Sequence, residues 1–478
     1  MAFIKNRTAA EQTLFILAVF IVSRLIVGLL GIHLNIRALN AYWQYLDLET
    51  LRNHLLTGIW YDHAQPPVFN LFLGFVLKIG GSHSILLFAL ILKLISLTNA
   101  IFLFSIVKKL TRIYFLPMMV ALIYLLSPAT LILECELFYT GFISFLLLVS
   151  LFYLIRLSES GSGWNAFGVI LPSTLLCLTR TVYHIFWLFV VIALLLFYFR
   201  KKAIFNTLIL ASLAGIIFSG SWYVKNKILF GKLTASTWLG MNLARNVFHD
   251  HTIKDSSRIE AYEPFSKISV YRKFVNPQFE NEYKGLNDRD LLREMKNDSF
   301  INETAVSYIP VSDQYLSASL EYIRNHPGAY AKNVIQSSVL FFAPATVYSL
   351  AVGQADKIKT YDLIYSFNLT HFSGTKQQRR ILLTISAIPK IILYIFVFFI
   401  LVRYSIKSRF ITPWNLFILI TIGWVFGISS LFEHYENMRF RFETEPLFLI
   451  LAAQVFSIIY FSKRSKPNAP LQQSSDNH

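Results

Sequence analysis

The first groups along the chain whose type and spacing suit chemistry are two carboxylates, Asp47 and Glu49. Residues two apart share a face only in extended or turn backbone, where such a pair would act as a base with a positioning group or as half of a metal site. At the start of a helix the same residues have a structural use, Asp47 as an N-cap and Glu49 in the positive first turn. The two readings are compatible. His63 and Gln65 offer hydrogen bonds to a hydroxyl-rich ligand or to their own loop. Glu134 and Glu136 bound a helical hairpin, where solvated acids are ordinary, yet with Asp47 and Glu49 they would extend an oxygen set for a hard divalent ion. The residues demand no cofactor; Mg²⁺ or Mn²⁺ is the ion such a set would suit. The cations Arg180, Lys225, Arg439 and Arg441 could bind a phosphate. Arg180 could otherwise snorkel or pair, and Arg439 and Arg441 could pair with Glu436, Glu443 and Glu445. Asn226 follows Lys225. Arg24, inside an apolar run, is expected to be buried against another polar group. His249 and His251 flank Asp250 without the remaining ligands of a zinc site, and read as loop histidines.

The elements that must position these groups follow from composition. The chain has 478 residues, 55% hydrophobic and only 15% charged, with a net charge of +17. Soluble proteins carry about 25% charged residues, so a soluble globular enzyme, a disordered chain and a fibrous repeat are excluded. A polytopic membrane protein is expected. Its Lys and Arg flank apolar runs, which is topology and not the basic surface of a nucleic-acid binder. Cys135 and Cys177 lie in or beside apolar runs and form no disulfide framework.

A helix needs about 20 mostly apolar residues to cross a bilayer. Spans are expected near 14–32, 84–107, 115–133, 136–155, 166–180, 183–199, 203–222, 381–402, 413–431 and 446–461. The first is read as a retained helix, since no cleavage site follows it. Basic residues collect on alternate connections: Lys5 and Arg7, Lys108 to Arg112, Arg156, Arg200 to Lys202, Arg403 to Arg409, and Lys463 to Lys466. That pattern puts them, and both termini, in the cytoplasm. Outer connections are then 33–83, 223–326 and 353–380. The middle one, with 14 Lys/Arg and 13 Asp/Glu, reads as a small folded region. Residues 327–352 are apolar but lack a basic flank, and read as a dipping helix. The organisation is a core at 1–222, an external region at 223–326, a second membrane region at 327–461 and a disordered tail at 462–478.

Within the first outer loop, apolar residues at 48, 51, 55, 56 and 59 predict an amphipathic helix lying in the interface, with Trp43, Trp60 and Tyr61 beside it. Val68 to Ile79, between Pro66-Pro67 and Gly80-Gly81, predicts a second helix too short to span. Apolar and charged residues alternate over 437–445, which predicts an extended segment with Arg439 and Arg441 on one side.

A single span, an outer loop with Asp47-Leu48-Glu49, and then His63-Ala64-Gln65-Pro66-Pro67 resemble the GT-C glycosyltransferases, in particular the bacterial relatives of protein O-mannosyltransferases and of the aminoarabinose transferase acting on lipid A. Trp222, Lys225, Asn226, Phe230, Gly231, Ser236, Thr237, Gly240, Asn242 and Leu243 are similar to a further segment of that family. The stretches YIRNHPGAYAKNVIQSSVLFFAP and ENMRFRFETEPLFLILAA resemble two more. The resemblance implies an all-α GT-C-like bundle of about 10–11 spans. It also implies sugar transfer from a polyprenyl-phosphate carrier, among membrane lipids, to an acceptor on the outer face, with inversion. The sugar and acceptor are unspecified. It implies a bacterial inner membrane, where the sequons at Asn297, Asn302 and Asn368 carry no meaning. Asp-x-Glu replaces the Asp-Glu or Asp-x-Asp of relatives. Asp47 is then the expected base, with Glu49 helping it. A flippase of lipid-linked sugars is the alternative, but a transporter commonly shows repeats or midplane polar residues, and the sequence shows neither; a polysaccharide polymerase or ligase would differ mainly in acceptor.

Overall fold

The computed structural model describes residues 8–41, 45–248, 295–297, 300–301, 305–306, 308–349, 351–408 and 411–464. Trp43, His249 to His251, the sequons at Asn297 and Asn302 and most of the expected tail lie outside these residues or include residues that do.

The chain is an all-α polytopic membrane protein. Among the described residues seven helical stretches are long and apolar enough to cross a bilayer, and three shorter apolar helices, Leu116–Leu126, Gly163–Cys177 and Ile185–Phe199, accompany them. All ten overlap expected spans, but the expected span 115–133 is broken at Ser127 into Leu116–Leu126 and Pro128–Leu133, Ser127 capping the second of these with Pro128 at its first turn. The first, α1 (Ala9–Leu29), starts with a capping box in which Thr8 and Glu11 satisfy each other's backbone amides. Large apolar side chains such as Leu25, Leu86, Ile217 and Ile395 stand exposed on the bundle's flank, as lipid-facing residues do and as a soluble fold avoids.

Contacts between distant residues fix which helix ends lie together. At one end Lys109 pairs with Glu159 at 2.5 Å, joining the last turns of Ser84–Leu110 and Thr140–Ser160. Tyr198 bonds the Ile411 carbonyl there too. This is the basic end. At the other, Asn35 bridges to Glu136 and His63 meets Thr237; this is the loop end, which gathers residues 33–83 with the segment after Phe205–Phe230.

The expected interfacial helix is two short ones, α2 (Leu48–Asn53) and α3 (Leu55–Tyr61), broken at His54. His54 leaves helical geometry at φ −130° and serves as the C-cap of one and the N-cap of the next. The predicted apolar face holds only in part: Leu51 and Leu55 are buried and Leu48 and Ile59 half-buried, but Leu56 is exposed beside Trp60. The helix α4 (Val68–Gly80) follows Pro67 as expected and ends at Gly81 in the left-handed region, φ 50°.

Residues 327–352 are not one helix. Pro327–Phe341 is helical for 15 residues, followed by an irregular turn and a short 3₁₀ segment at Ala345–Val347. Too short to span, it packs against Pro413–Phe432 and the final helix. In the external region Leu239–Val247 packs on Tyr308–Asn325, and Met295–Asn297 pairs antiparallel with Phe300–Ile301.

The largest departure is at 437–445, which is helical and not extended. It opens the last helix, Asn437–Arg464. Arg439 pairs with Glu436 three residues back and lies 3.6 Å from Glu443 four residues on. Arg441 pairs with Glu445, again four on. These are helix spacings. Met438, Arg439, Phe440, Arg441, Phe442 and Glu443 are all buried, so burial on every side left no 3.6-residue stripe, and the alternation does not place both arginines on one side.

Candidate functional site

The turn at residues 62–67 is built around Asp62. One carboxylate oxygen accepts the amides of Ala64 (2.9 Å) and Gln65 (3.3 Å), and the other accepts Asn70 Nδ2 at 3.1 Å. Asn70 Oδ1 in turn accepts the Leu46 amide at 3.1 Å, which ties the turn to the segment leading to Asp47. Burial pushes the Asp62 carboxyl up to about 6, with Lys225 and these hydrogen bonds pulling the other way. Sequence reasoning missed Asp62; its place one residue before His63, in a loop otherwise short of acids, was the available signal.

A clasp from the end of Phe205–Phe230 closes over this turn. Lys225 donates to the Asp62 carbonyl and lies 3.5 Å from the centre of the Trp222 ring. Trp222 Nε1 bonds the Ala235 carbonyl at 3.0 Å, and Asn226 Nδ2 bonds the Thr234 carbonyl at 2.8 Å. Ser236 donates to the Ala64 carbonyl at 2.5 Å, and His63 Nδ1 is 2.7 Å from Thr237 Oγ1. His63, Lys225 and Asn226, expected as substrate contacts, are thus engaged in holding the loop. Gly240 is required where Leu239–Val247 crosses Tyr308–Asn325: a Cβ there would fall 1.8 Å from the Ser312 carbonyl oxygen.

Gln65 lines a cavity of about 310 Å³ at the loop end together with Arg180, Asn242, Glu433 and Phe440. Thr234, Ser236 and Ser429 add polar wall; Trp424 and Ile428 add apolar wall, and Phe186 and Leu239 stand exposed at its margin. The cavity therefore combines an exposed apolar rim with a cation and an acid inside. Arg180 is held by Glu443 and stacks 3.5 Å from the Phe440 ring centre. Glu433 is 3.2 Å from Arg245, which also reaches Glu436 at 3.2 Å. Tyr435 between the two glutamates adopts φ 65°, a conformation rare for a non-glycine residue and tolerated where surroundings enforce it. Burial raises Glu433 to about 7, Arg245 opposing and the Glu436 carboxylate adding to the rise. Burial works against ionisation of Glu436 too, but Arg439, Arg245 and Arg180 hold it down to about 2.

Behind the cavity Arg180, Arg439, Glu436 and Glu443 form one buried network. Arg439 also lies 4.3 Å from the Phe138 ring centre, and Phe138 packs at 6.3 Å on Tyr45. Asp47 is two residues beyond Tyr45. It caps Leu48–Asn53: Oδ1 accepts the Thr50 amide at 3.0 Å and Oδ2 the Thr50 hydroxyl at 2.7 Å. Each oxygen keeps a further lone pair, and the side chain is half-buried, whereas Glu49 is exposed. Neither lines the cavity, nor does Arg439 or Arg441. Arg441 belongs to a separate pair with Glu445, to which Lys390 comes within 3.9 Å.

The four carboxylates considered for a metal do not fit one. Both oxygens of Glu134 are taken by Arg24, at 2.8 and 2.7 Å. Glu136 accepts Gln354 Nε2 at 3.0 Å, and burial raises it to about 7, a poor state for a ligand that must be ionised. Among the described residues no three His, Cys, Asp or Glu side chains gather to hold an ion.

No protein-family model matches the chain, and neither a curated protein nor a solved structure does.

Proposed function

We propose that this chain is an integral-membrane glycosyltransferase that moves a sugar from a polyprenyl-phosphate carrier to a lipid, glycan or protein acceptor at the loop end. The observation that carries the reading is the cavity in which Gln65, Arg180 and Glu433 meet beneath an exposed apolar rim. A carrier of this kind presents an apolar tail, one phosphate and a hydroxyl-rich head, and such a cavity offers apolar margin, guanidinium and amide in turn. Arg180 stabilises the departing phosphate, as a fixed cation does where negative charge develops. Gln65 and Asn242 bond sugar hydroxyls.

Asp47 is the base. It accepts the proton of the acceptor hydroxyl; the freed oxygen attacks the anomeric carbon opposite the phosphate, and the carbon–oxygen bond to phosphate breaks with its electron pair leaving on the phosphate. Glu49 acts as the group that positions the acceptor. The resemblance in sequence to GT-C enzymes agrees with this assignment, and the bacterial inner membrane with an outward-facing site is part of the same proposal. The test is mass spectrometry of polyprenyl-phosphate sugars and envelope glycans in cells with and without the gene. One lipid-linked sugar should accumulate in its absence while one glycan, lipid or protein loses that sugar. Unchanged pools of both would overturn the proposal.

A further inference from the structure

The basic end holds a second and larger cavity, of about 1250 Å³, unconnected with the reaction proposed above. Three cations line it, Arg112 from the connection after Ser84–Leu110 and Arg403 and Lys407 from Lys376–Ser408. Among the described residues no acid lines it, and none of the three cations is within an ion pair. Arg403 and Lys407 are one helical turn apart, a spacing at which like charges repel, and Arg112 brings a third positive charge to the same hollow. The last helix completes the wall with Ser457, which is buried, and with Ile458 and Phe461.

Orientation in a membrane asks only that Lys and Arg lie near the span ends. It does not ask that residues nearly 300 positions apart converge on one hollow without a counter-charge. We propose that this cavity binds the phosphate of an anionic membrane lipid, with the three cations around the headgroup and the apolar wall of the last helix against the upper acyl chain. Basic pockets between helices at this side of a membrane suit such headgroups. The apolar wall from membrane-spanning helices is what favours a lipid over free phosphate.

The experiment is native mass spectrometry of the full chain exchanged into phosphatidylglycerol, phosphatidic acid or phosphatidylcholine, each at the same mole fraction. The wild-type chain should retain the two anionic lipids and not phosphatidylcholine. In a variant carrying Arg112→Gln, Arg403→Gln and Lys407→Gln, retention should fall about a hundredfold, a factor of about five for each cation. Ser457→Phe, which keeps all three charges but fills the hollow, should also lose the lipid. Lys201→Gln with Lys202→Gln, at the same end outside the cavity, should not. Equal loss in that control, or full retention in Ser457→Phe, would reduce the effect to general surface charge and overturn the proposal. So would displacement of the lipid by millimolar inorganic phosphate bound at the same three residues.

Discussion

Replacing Glu134 by Gln removes one charge from a pair that is closed to water. Arg24 and Glu134 bond twice, at 2.8 and 2.7 Å, with side chains 6% and 1% exposed. Breaking such a pair from one side typically costs about 3–5 kcal/mol, because the remaining charge is left buried. Arg24 keeps two contacts in the variant, Nη1 to the Leu125 carbonyl and to Ser23 Oγ, both 3.0 Å, and the carbonyl of the introduced amide can still accept one bond. The lower limit, about 3 kcal/mol, is therefore expected. The shift per kcal/mol shrinks with chain length, so this corresponds to a fall of roughly 3–6 °C in the melting midpoint. The assay is thermal unfolding in detergent, with retention of the monodisperse species as readout. Arg24→Met with Glu134→Leu, which replaces both charges by apolar groups, should recover most of the loss. Added EDTA should change none of these midpoints, since the carboxylate serves an arginine and not a metal. A Glu134→Gln chain melting within about 1 °C of wild type, or a double variant no better than the single one, would refute the reasoning.

Asp47→Ser should keep the helix cap, because serine accepts the same amide, and lose transfer; Asp47→Ala should lose transfer and about 1 kcal/mol besides. Measuring turnover and unfolding side by side separates base from cap, and an active Asp47→Ser would remove Asp47 from the mechanism. Glu433 has its ionisation near pH 7. A carrier phosphodiester does not titrate there, so ionising Glu433 above that pH adds a negative charge beside the phosphate site, and KM for the donor should rise across pH 6–8. Arg245, Arg180, Arg439 and Glu436 face this carboxyl, and Glu436 is held down to about 2, so Glu433→Gln should flatten the profile. The same raised ionisation means that Glu433 supports folding most below its unfolded value of 4.5 and that this support is lost as pH rises through about 7. Gly240→Ala drives a methyl into the Ser312 carbonyl and should cost more than about 3 kcal/mol or prevent folding, whereas Gly220→Ala, with open space around it, should be neutral or slightly stabilising in the same unfolding assay.

Hydropathy alone located the spans, because a helix that meets lipid must be apolar along a fixed length whatever packs beside it. The proline and glycine limits of Val68–Gly80 were legible for the same local reason. The pairs that hold the loop end together were not. Arg24 meets Glu134 across 110 residues and Arg180 meets Glu443 across 263, and periodicity carries no information over such distances. At 437–445 the pattern misled because aromatic and charged residues are buried alike, the charges by pairing with each other. Of the residues singled out in the sequence, Gln65 and Arg180 line the cavity. Asp62 had a signal in its place before His63 that went unread, and Glu433 was invisible because a carboxylate's burial depends on segments elsewhere in the chain.

On the proposed function, the exposed Phe186 and Leu239 at the rim would make the cavity a doorway from the bilayer and not from water. A ligand arriving that way diffuses in two dimensions, so its supply is set by its mole fraction among neighbouring lipids and is indifferent to the volume of the surrounding solution. Adding detergent or inert lipid at constant ligand amount would starve the site by dilution within the surface, and turnover measured in micelles and in vesicles would agree only when plotted against that surface fraction.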